Sequence, residues 1–333
     1  MTSTVDWGRC CPARADVHAV GTPSMFPVCE GMAVNAPSYE AMAHLRNDQS
    51  TSGTDLFAAA KELRDSFVRS DHLIGLLPKD APEVLVDGLV RAGRAGVVDA
   101  WLELGRLLAY GAAPWAPYPE RDVLGSIAAY QEADRAGSVA GALGWIRIAY
   151  YANSAPHEQA AARRLDELLA ANPDDAEVLL LSGYLRHQGY GHPADPAAAV
   201  PYHRAAADLG NAHAAFELSV LYGTGSGVPE DQDESRRWTF RAAELGSVRA
   251  MGNLGGMYAT GHGVEQNPVT ALEWYTKAAE AGHPKSAFTA GVMCLIGDGG
   301  LPVDEEQAAA FFAVAEELGV DVDDELSMMG LSR

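Results

Sequence analysis

A glycine that closes an amphipathic segment recurs along this chain at intervals of 36 or 37 residues. The four copies are Gly210, Gly246, Gly282 and Gly319. Such a period is typical of architectures in which short units, none of them stable alone, stack and bury a shared core. The sequence therefore predicts an array of structural repeats whose core extends from one unit to the next.

Each repeat begins with the pattern of an amphipathic helix. Small and apolar residues fall at offsets of 0, 4, 7 and 8, which place four side chains on one helical face. The clearest copies are Ala250, Leu254, Met257 and Tyr258, and, one repeat earlier, Ala214, Leu218, Leu221 and Tyr222. We expect these residues to form the buried face of the first helix in each repeat.

A second helix ends each repeat, with an aromatic residue one turn before two small residues and the closing glycine. The copies are Tyr202, Ala206 and Ala207; Trp238, Ala242 and Ala243; and Trp274, Ala278 and Ala279. Small residues let neighbouring helices approach closely, and the ring fills the space beside them. A Gly-x-Gly turn joins the two helices, and a helix-capping residue follows it, namely Asp195, Asp231, Asn267 or Asp304. These patterns predict an all-α fold, an α-solenoid of stacked antiparallel helix pairs (an alpha-alpha superhelix).

The combined pattern resembles a known repeat family. Ala-x-x-x-Leu-Gly-x-x-Tyr, Gly-x-Gly-Val and Trp-Tyr-x-Lys-Ala-Ala-x-x-Gly follow one another from Ala250 to Gly282. This order is similar to that of the Sel-one-like repeat, a relative of the tetratricopeptide repeat. The resemblance is close over 210–319 and looser over 96–210, where the unit 138–172 lacks the Gly-x-Gly turn. It implies a concave groove, lined by the first helices, that holds an extended peptide or a helix of another protein.

The composition divides the chain into four segments. Residues 1–53 lack periodicity, contain scattered Pro, Ser, Thr and Gly, and are predicted to be disordered. Residues 54–95 are predicted to form a helical cap or a degenerate repeat, and residues 96–319 the repeat array. Residues 320–333 are expected to form an acidic carboxy-terminal cap or tail, with an apolar side made of Leu326, Met328 and Met329.

The charge of the chain restricts its partners. Formal net charge is −21, from 45 acidic and 24 basic residues. Nucleic acids and anionic membrane surfaces attract Lys and Arg, so neither is expected as a partner. No stretch approaches roughly 18 consecutive apolar residues, and Met1–Val20 has no signal-peptide pattern. The cysteines form no disulfide framework, and we expect a cytoplasmic protein; they are Cys10, Cys11, Cys29 and Cys294.

No group of residues predicts catalysis, a metal site or a cofactor. No strand precedes the Gly-x-Gly turns and no Gly-Lys-Ser/Thr follows them, which favours interhelical turns over phosphate loops. Cys294 takes the core position of Tyr222 and Tyr258, so a packed thiol is expected. The tryptophans on the packing period are expected in the core; they are Trp101, Trp145, Trp238 and Trp274. Without a His-Glu-x-x-His motif, the histidines are interpreted as solvated turn residues; they are His187, His192, His203, His213, His262 and His283.

The predicted function is that of a non-enzymatic scaffold or adaptor, with a regulatory role left open, that binds a peptide or helix of a partner protein in the groove. The residues free to face the groove lie on the first helices, outside the packing offsets; they are His213, Glu217, Arg249, Asn253, Lys285 and Thr289, together with Val220, Gly256 and Val292. The amide of Asn253 is able to hydrogen-bond a bound backbone. The alternative, an enzyme or small-ligand binder that uses the groove as a cleft, also stays open.

Overall fold

The computed structural model describes residues 37–48, 50–69, 80–111 and 121–332, and every regular element in these ranges is helical. The sequence interpretations of residues 1–36, including Cys10, Cys11 and Cys29, lie outside the described residues. Contacts divide the chain into two compact units, Met1–Leu165 and Asp166–Arg333. Within the described ranges, none of the helices is both long enough and apolar enough to cross a membrane.

The helices follow one another with short connections. The first unit contains α1 (Pro37–Asn47), α2 (Gly53–Arg69), α3 (Ala81–Arg94), α4 (Val98–Tyr110), α5 (Val123–Arg135), α6 (Val139–Tyr151) and the start of α7 (Glu158–Ala171). The second contains the end of α7, α8 (Ala176–Gln188), α9 (Pro196–Asp208), α10 (Ala212–Thr224), α11 (Gln232–Glu244), α12 (Val248–Thr260), α13 (Pro268–Glu280), α14 (Pro284–Ile296), α15 (Glu305–Glu317) and α16 (Val322–Met328). Consecutive helices pack against each other from α1 to α6 and from α8 to α16, so the predicted fold class is confirmed.

The structure differs from the prediction of disorder for residues 1–53 at the carboxy-terminal end of this segment. Helix α1 lies inside that segment and packs on α2 and α3. Its Met42 is fully buried and fills the space above Gly88, where a Cβ would lie 1.8 Å from the Met42 Cε atom. The Tyr39 hydroxyl donates to the Asp80 carboxylate at 2.9 Å. Among the described side chains of this 11-residue helix, only Met42 is buried. One buried side chain gives too weak a periodic signal to predict a helix in an otherwise irregular segment.

The second unit repeats one local design. The predicted capping residues accept hydrogen bonds from backbone N–H groups at the start of each second helix: Asp195 from Ala198, Asp231 from Asp233 and Glu234, Asn267 from Thr270, and Asp304 from Gln307. The closing glycines adopt positive φ, as at Gly246 with φ 97°. There the Gly246 N–H donates to the Ala243 carbonyl and the Ser247 N–H to the Ala242 carbonyl, which satisfies the end of α11.

The buried faces of the second unit follow the predicted offsets in part, since Tyr222, Met257 and Tyr258 are half-buried. Ala214, Leu218, Ala250 and Leu254 have no exposed surface. The tryptophans divide into two groups. Trp101 and Trp145 are buried in the first unit, whereas Trp238 and Trp274 are half-buried. A cation lies over each of the half-buried rings, because a ring at the rim of the core still presents a face to Arg or Lys; the pairs are Arg204 with Trp238 and Lys277 with Trp274.

A short helix closes the second unit at its carboxy-terminal end. Val322 and Leu326 lie one turn apart on α16 and are both buried against the last helix pair. The expectation that Met328 and Met329 share this apolar face is wrong, because both are exposed. A seven-residue helix presents only two turns, and the face through Val322 and Leu326 does not extend to the last two methionines.

Candidate functional site

The second unit contains a pocket of about 660 Å³ between the helices of successive repeats. It is lined by residues of α10, α11, α12, α13 and α14 and by the turn that follows α12. First helices supply most of the lining, as the repeat pattern predicts for a groove. Three consecutive repeats therefore contribute to one site.

Two glycines of α12 line the pocket and differ in their surroundings. A Cβ at Gly252 would lie 3.1 Å from the Ser286 Oγ atom and 3.2 Å from the His283 Cε1 atom, so α14 comes close to this helix. One turn later, a Cβ at Gly256 would meet only the Tyr275 hydroxyl, at 3.5 Å. Apart from that hydroxyl, no described atom outside α12 lies within 4 Å of this position, which borders the pocket.

Hydroxyl groups line the pocket walls, and several of them already donate a hydrogen bond to a backbone carbonyl. Thr224 donates to the Val220 carbonyl, Thr260 to Gly256 and Thr289 to Lys285, each at 2.8 Å within its own helix. Ser235 on α11 donates to the Ser219 carbonyl of α10 at 2.7 Å and ties the two helices together. These hydroxyl oxygens therefore act towards a ligand as hydrogen-bond acceptors.

The ionisable lining residues are basic or neutral. Arg236 and Lys285 line the pocket together with His262 and His283, and no carboxylate is among the described residues that line it. Arg236 forms an ion pair with Asp233 on its own helix and lies against Gly263. Lys285 forms no ion pair with any residue in the described ranges. The pocket therefore offers positive charge in a chain that is strongly acidic overall.

His283 and Ser286 are hydrogen-bonded at the start of α14. The His283 Nδ1 atom lies 2.7 Å from the Ser286 Oγ atom, and Ser286 is fully buried. Burial lowers the pKa of His283, and the charges of Lys285 and Arg249 lower it further. Nucleophilic catalysis requires a hydroxyl that a substrate can reach, and a buried Oγ does not meet that requirement. The pair therefore orders the first turn of α14.

Tyr275 forms another part of the wall. Its ring lies against Gly255, where a Cβ would approach the Tyr275 Cδ1 atom to 2.6 Å. Burial raises the pKa of the phenol, and the charge of Asp298 raises it further. The hydroxyl therefore stays protonated at neutral pH and is available to a ligand as a neutral hydrogen-bonding group.

The predicted groove residues divide between the pocket and its surroundings. Asn253, Lys285 and Thr289 line the pocket. Glu217 accepts a hydrogen bond from the Tyr184 hydroxyl at 3.0 Å, and the guanidinium of Arg249 stacks 4.7 Å from the centre of the Phe216 ring. His213 is exposed on α10, outside the lining. Val220 and Gly256 also line the pocket, as predicted, whereas Val292 is buried. Tyr275 and Arg236 were not predicted, because they lie on second helices, which were interpreted only as packing elements.

The interpretation of all six histidines as solvated turn residues is wrong. His203 lies inside α9 and is buried, because Gly183 on α8 leaves room for its ring. His187 and His213 lie in α8 and α10, whereas His262 is exposed in a turn as expected. Within the described ranges, no three His, Cys, Asp or Glu side chains come together in a way that suits a metal ion.

Cys294 is buried, as its position in the repeat predicts. Its thiol donates to the Gln307 Oε1 atom at 3.3 Å. Burial raises the pKa of this thiol, and the charge of Asp304 raises it further. A thiol with a raised pKa in the core is a packing group and a poor nucleophile.

Comparison with known families identifies the repeats. Residues 177–211, 212–247, 248–283 and 284–320 each match the family model of the Sel1 repeat. The four matches together cover 144 of the 333 residues. The predicted resemblance is thus confirmed, and the pocket lies across the last three of these repeats. Sel1 repeat proteins generally mediate protein–protein interactions, and the fold is typically a non-catalytic scaffold. No match was found among curated proteins.

Several solved structures are similar to this chain over most of its length. A Sel1 repeat protein from Oxalobacter formigenes is 23% identical over 89% of this chain and 88% of that chain, with a TM-score of 0.55. A protective antigen of uropathogenic Escherichia coli with an SLR fold is 22% identical over 90% of this chain and 64% of that chain, with a TM-score of 0.47. An immunity protein from Pseudomonas aeruginosa is 19% identical over 79% of this chain and 83% of that chain, with a TM-score of 0.41. The first of these similarities supports the fold.

Proposed function

We propose that this protein is a non-catalytic interaction module that binds a peptide segment of a partner protein in the pocket of its last three Sel1 repeats. The observation that carries the proposal is the pocket itself. It combines free space above Gly256 with hydrogen-bonding groups on helices from three repeats. A segment that lies along the pocket would touch all three repeats at once.

The pocket offers partners for both polar groups of a peptide backbone. The Asn253 amide is exposed and has no hydrogen-bond partner among the described residues, so its N–H groups are available to a peptide carbonyl. The oxygen of Thr224 is available as an acceptor for a peptide N–H group, and that of Thr260, which accepts from the His262 N–H group at 3.4 Å, has a second lone pair to offer. An extended backbone alternates carbonyl and N–H groups, and a mixed lining of this kind satisfies both.

A binding role accounts for the lining better than a catalytic one. General acid–base or nucleophilic catalysis needs a reactive group, its base and an acceptor site that converge on accessible space. Here Ser286, the hydroxyl next to His283, is buried, and the exposed hydroxyls donate to carbonyls of their own helices. We therefore propose that the pocket positions a ligand without transforming it.

Photo-crosslinking tests whether a partner occupies the pocket. A benzophenone amino acid is placed in the full chain at Val220, which lines the pocket and is 41% exposed, or at Val269, which is 57% exposed on α13 outside the lining. Both proteins are irradiated in lysate of the source organism. We expect a protein crosslinked from position 220 and absent from position 269.

A pocket-filling variant makes the test specific. Gly256→Leu adds a side chain to the open space, and Gly256→Ala adds only a Cβ at ordinary contact distance from Tyr275. The crosslink from position 220 should disappear with Gly256→Leu and persist with Gly256→Ala. Persistence with both variants would contradict the proposal. A pocket of this volume also suits a small molecule, and thermal stabilisation by a metabolite without any crosslink would favour that alternative.

We also propose a cytoplasmic location. Cys294, the one cysteine within the described ranges, is a free thiol, and free thiols persist in reducing compartments. Fractionation of the source organism, followed by immunodetection of the protein, tests this location. Recovery from a periplasmic or secreted fraction would contradict it.

A further inference from the structure

We infer that the bound segment carries an acidic side chain, Asp or Glu, that is recognised at the Lys285 end of the pocket. The inference rests on the proposed function, because it specifies the chemistry of the segment that the same pocket would bind. Charge carries it. The described lining residues include two permanent cations and no carboxylate, in a chain with 45 acidic and 24 basic residues.

Lys285 is the lining cation whose charge is not neutralised. Arg236 already pairs with Asp233, three residues earlier on α11. Lys285 has no such partner in the part of the chain that the structure describes, and its side chain is exposed at the first turn of α14. An ammonium group with three N–H donors is therefore available to an incoming anion.

A second cation reinforces the field at this end of the pocket. Arg249 lies on α12, one turn before Asn253, and also forms no ion pair among the described residues. Its guanidinium is held by the Phe216 ring at 4.7 Å. The charges of Arg249 and Lys285 both lower the pKa of His283, so both cations lie near this residue.

A carboxylate at this end would accept hydrogen bonds from the Lys285 ammonium and from the Asn253 amide. A hydrogen bond to an ionised group is about twice as strong as one between neutral groups. A Lys or Arg side chain at the same place would meet positive charge that nothing in the lining offsets. We therefore expect an acidic segment to bind at least about tenfold more tightly than its neutral counterpart.

The overall charge of −21 does not oppose this preference at short range. At physiological ionic strength, charges separated by more than about 8 Å are largely screened. The groups at the Lys285 end of the pocket therefore decide which side chain binds there. The remaining acidic surface acts mainly on the approach of a partner.

Peptide selection tests the inference with a defined probe. A phage-displayed library of random 12-mers, each about 40 Å long when extended, is fused through the peptide carboxyl ends, so that side chains supply the only carboxylates. The bait is the full chain, either unchanged or as Lys285→Glu, Lys285→Gln or Gly256→Leu. Arg237→Glu is the matched control, because it changes the charge equally at a residue that is 75% exposed outside the pocket.

The expected result has two parts. Peptides recovered with the unchanged chain and with Arg237→Glu should share Asp or Glu at one position and should be lost with Gly256→Leu. In a synthetic copy, Glu→Gln at that position should weaken binding at least about tenfold to the unchanged chain and much less to Lys285→Gln. Lys285→Glu should recover peptides without the acidic residue.

Two other results are distinguishable. Peptides that are lost with Gly256→Leu but show no acidic preference, or keep it with both Lys285 variants, would overturn the inference and leave the proposed function standing. Recovery of the same peptides with and without Gly256→Leu, or no recovery at all, would count against the proposed function itself. Circular dichroism of each bait confirms that the variants are folded.

Discussion

The imidazole of His203 packs directly on Gly183, where a Cβ would lie only 2.5 Å from the His203 Cε1 atom. The ring is 1% exposed, its centre lies 5.4 Å from that of Tyr184, and its Nδ1 atom has no hydrogen-bond partner among the described residues. Burial lowers the pKa of His203 to about 4, with a smaller contribution from the charge of His187. The contact between α8 and α9 therefore requires a neutral ring.

Acid should destabilise the protein through this histidine. The folded-state pKa lies below the unfolded value of 6.5, so the unfolded chain binds the proton first as the pH falls. Stability is complete above pH 6.5 and decreases until about pH 4. Over this window the unchanged chain should lose about 3 kcal/mol more than His203→Gln. Urea unfolding at several pH values measures the difference, with the exposed His213→Gln as the control. Parallel pH profiles for the unchanged chain and His203→Gln would contradict this.

Two glycines in first helices should respond oppositely to alanine. Gly183→Ala forces the new Cβ into the His203 ring, and we expect a loss of about 1–3 kcal/mol in unfolding free energy. Gly256→Ala meets no atom closer than 3.5 Å and removes the entropic cost of a helical glycine, so a gain of up to about 1 kcal/mol is expected. Thermal and urea unfolding give both values. A loss of unfolding free energy in both variants, or a gain in both, would contradict the prediction.

Met42 and Gly88 should be energetically coupled. Met42→Ala leaves a cavity between α1 and α3, which should cost about 2–5 kcal/mol. Gly88→Ala displaces the Met42 side chain and should also destabilise the unit. In the double variant the new methyl occupies part of the cavity, so its loss should be smaller than the sum of the single losses by about 0.5–3 kcal/mol. A double-mutant cycle measures this term, and strict additivity would mean that α1 does not pack there.

The side chain of Asn267 should stabilise the protein by capping the start of α13. Asn267→Ala removes the acceptor of the Thr270 N–H group and should cost about 0.5–2 kcal/mol. Asn267→Asp keeps an acceptor at the start of α13 and should be nearly neutral or stabilising. Unfolding free energies of the two variants check the order. A loss of the same size for Asp and Ala would assign the effect to another contact of Asn267.

The repeats were predictable from the sequence because their determinants are local. Offsets of 0, 4, 7 and 8 report a helical face, and Asp231 or Gly246 acts within a few residues of its position in the chain. Helix α1 escaped prediction because it has a single buried anchor, Met42, whose fit depends on Gly88, 46 residues away. Propensity and periodicity contain no information about such a pair.

The site was only partly predictable for the same reason. Asn253, Lys285 and Thr289 share a helical face, and the period alone placed them outside the packing positions. His203 follows the same rules as its solvated counterparts in sequence, and its burial depends on a missing side chain at Gly183 in another helix. The pocket likewise depends on the absence of a side chain at Gly256, and helices of the two neighbouring repeats complete its walls.

The pocket spans three repeats, whereas the caps, turns and helix patterns that specify the local fold recur within each repeat. A deletion of the 36 residues from Asn211 to Gly246 would join two equivalent glycine ends and preserve the helix pattern on both sides. The same deletion would remove α10 and α11, and with them one wall of the pocket. Copy number and repeat order are thus heritable determinants of recognition in this chain, separate from any substitution: a gain or loss of one unit changes which surfaces face each other while every remaining unit keeps its own sequence.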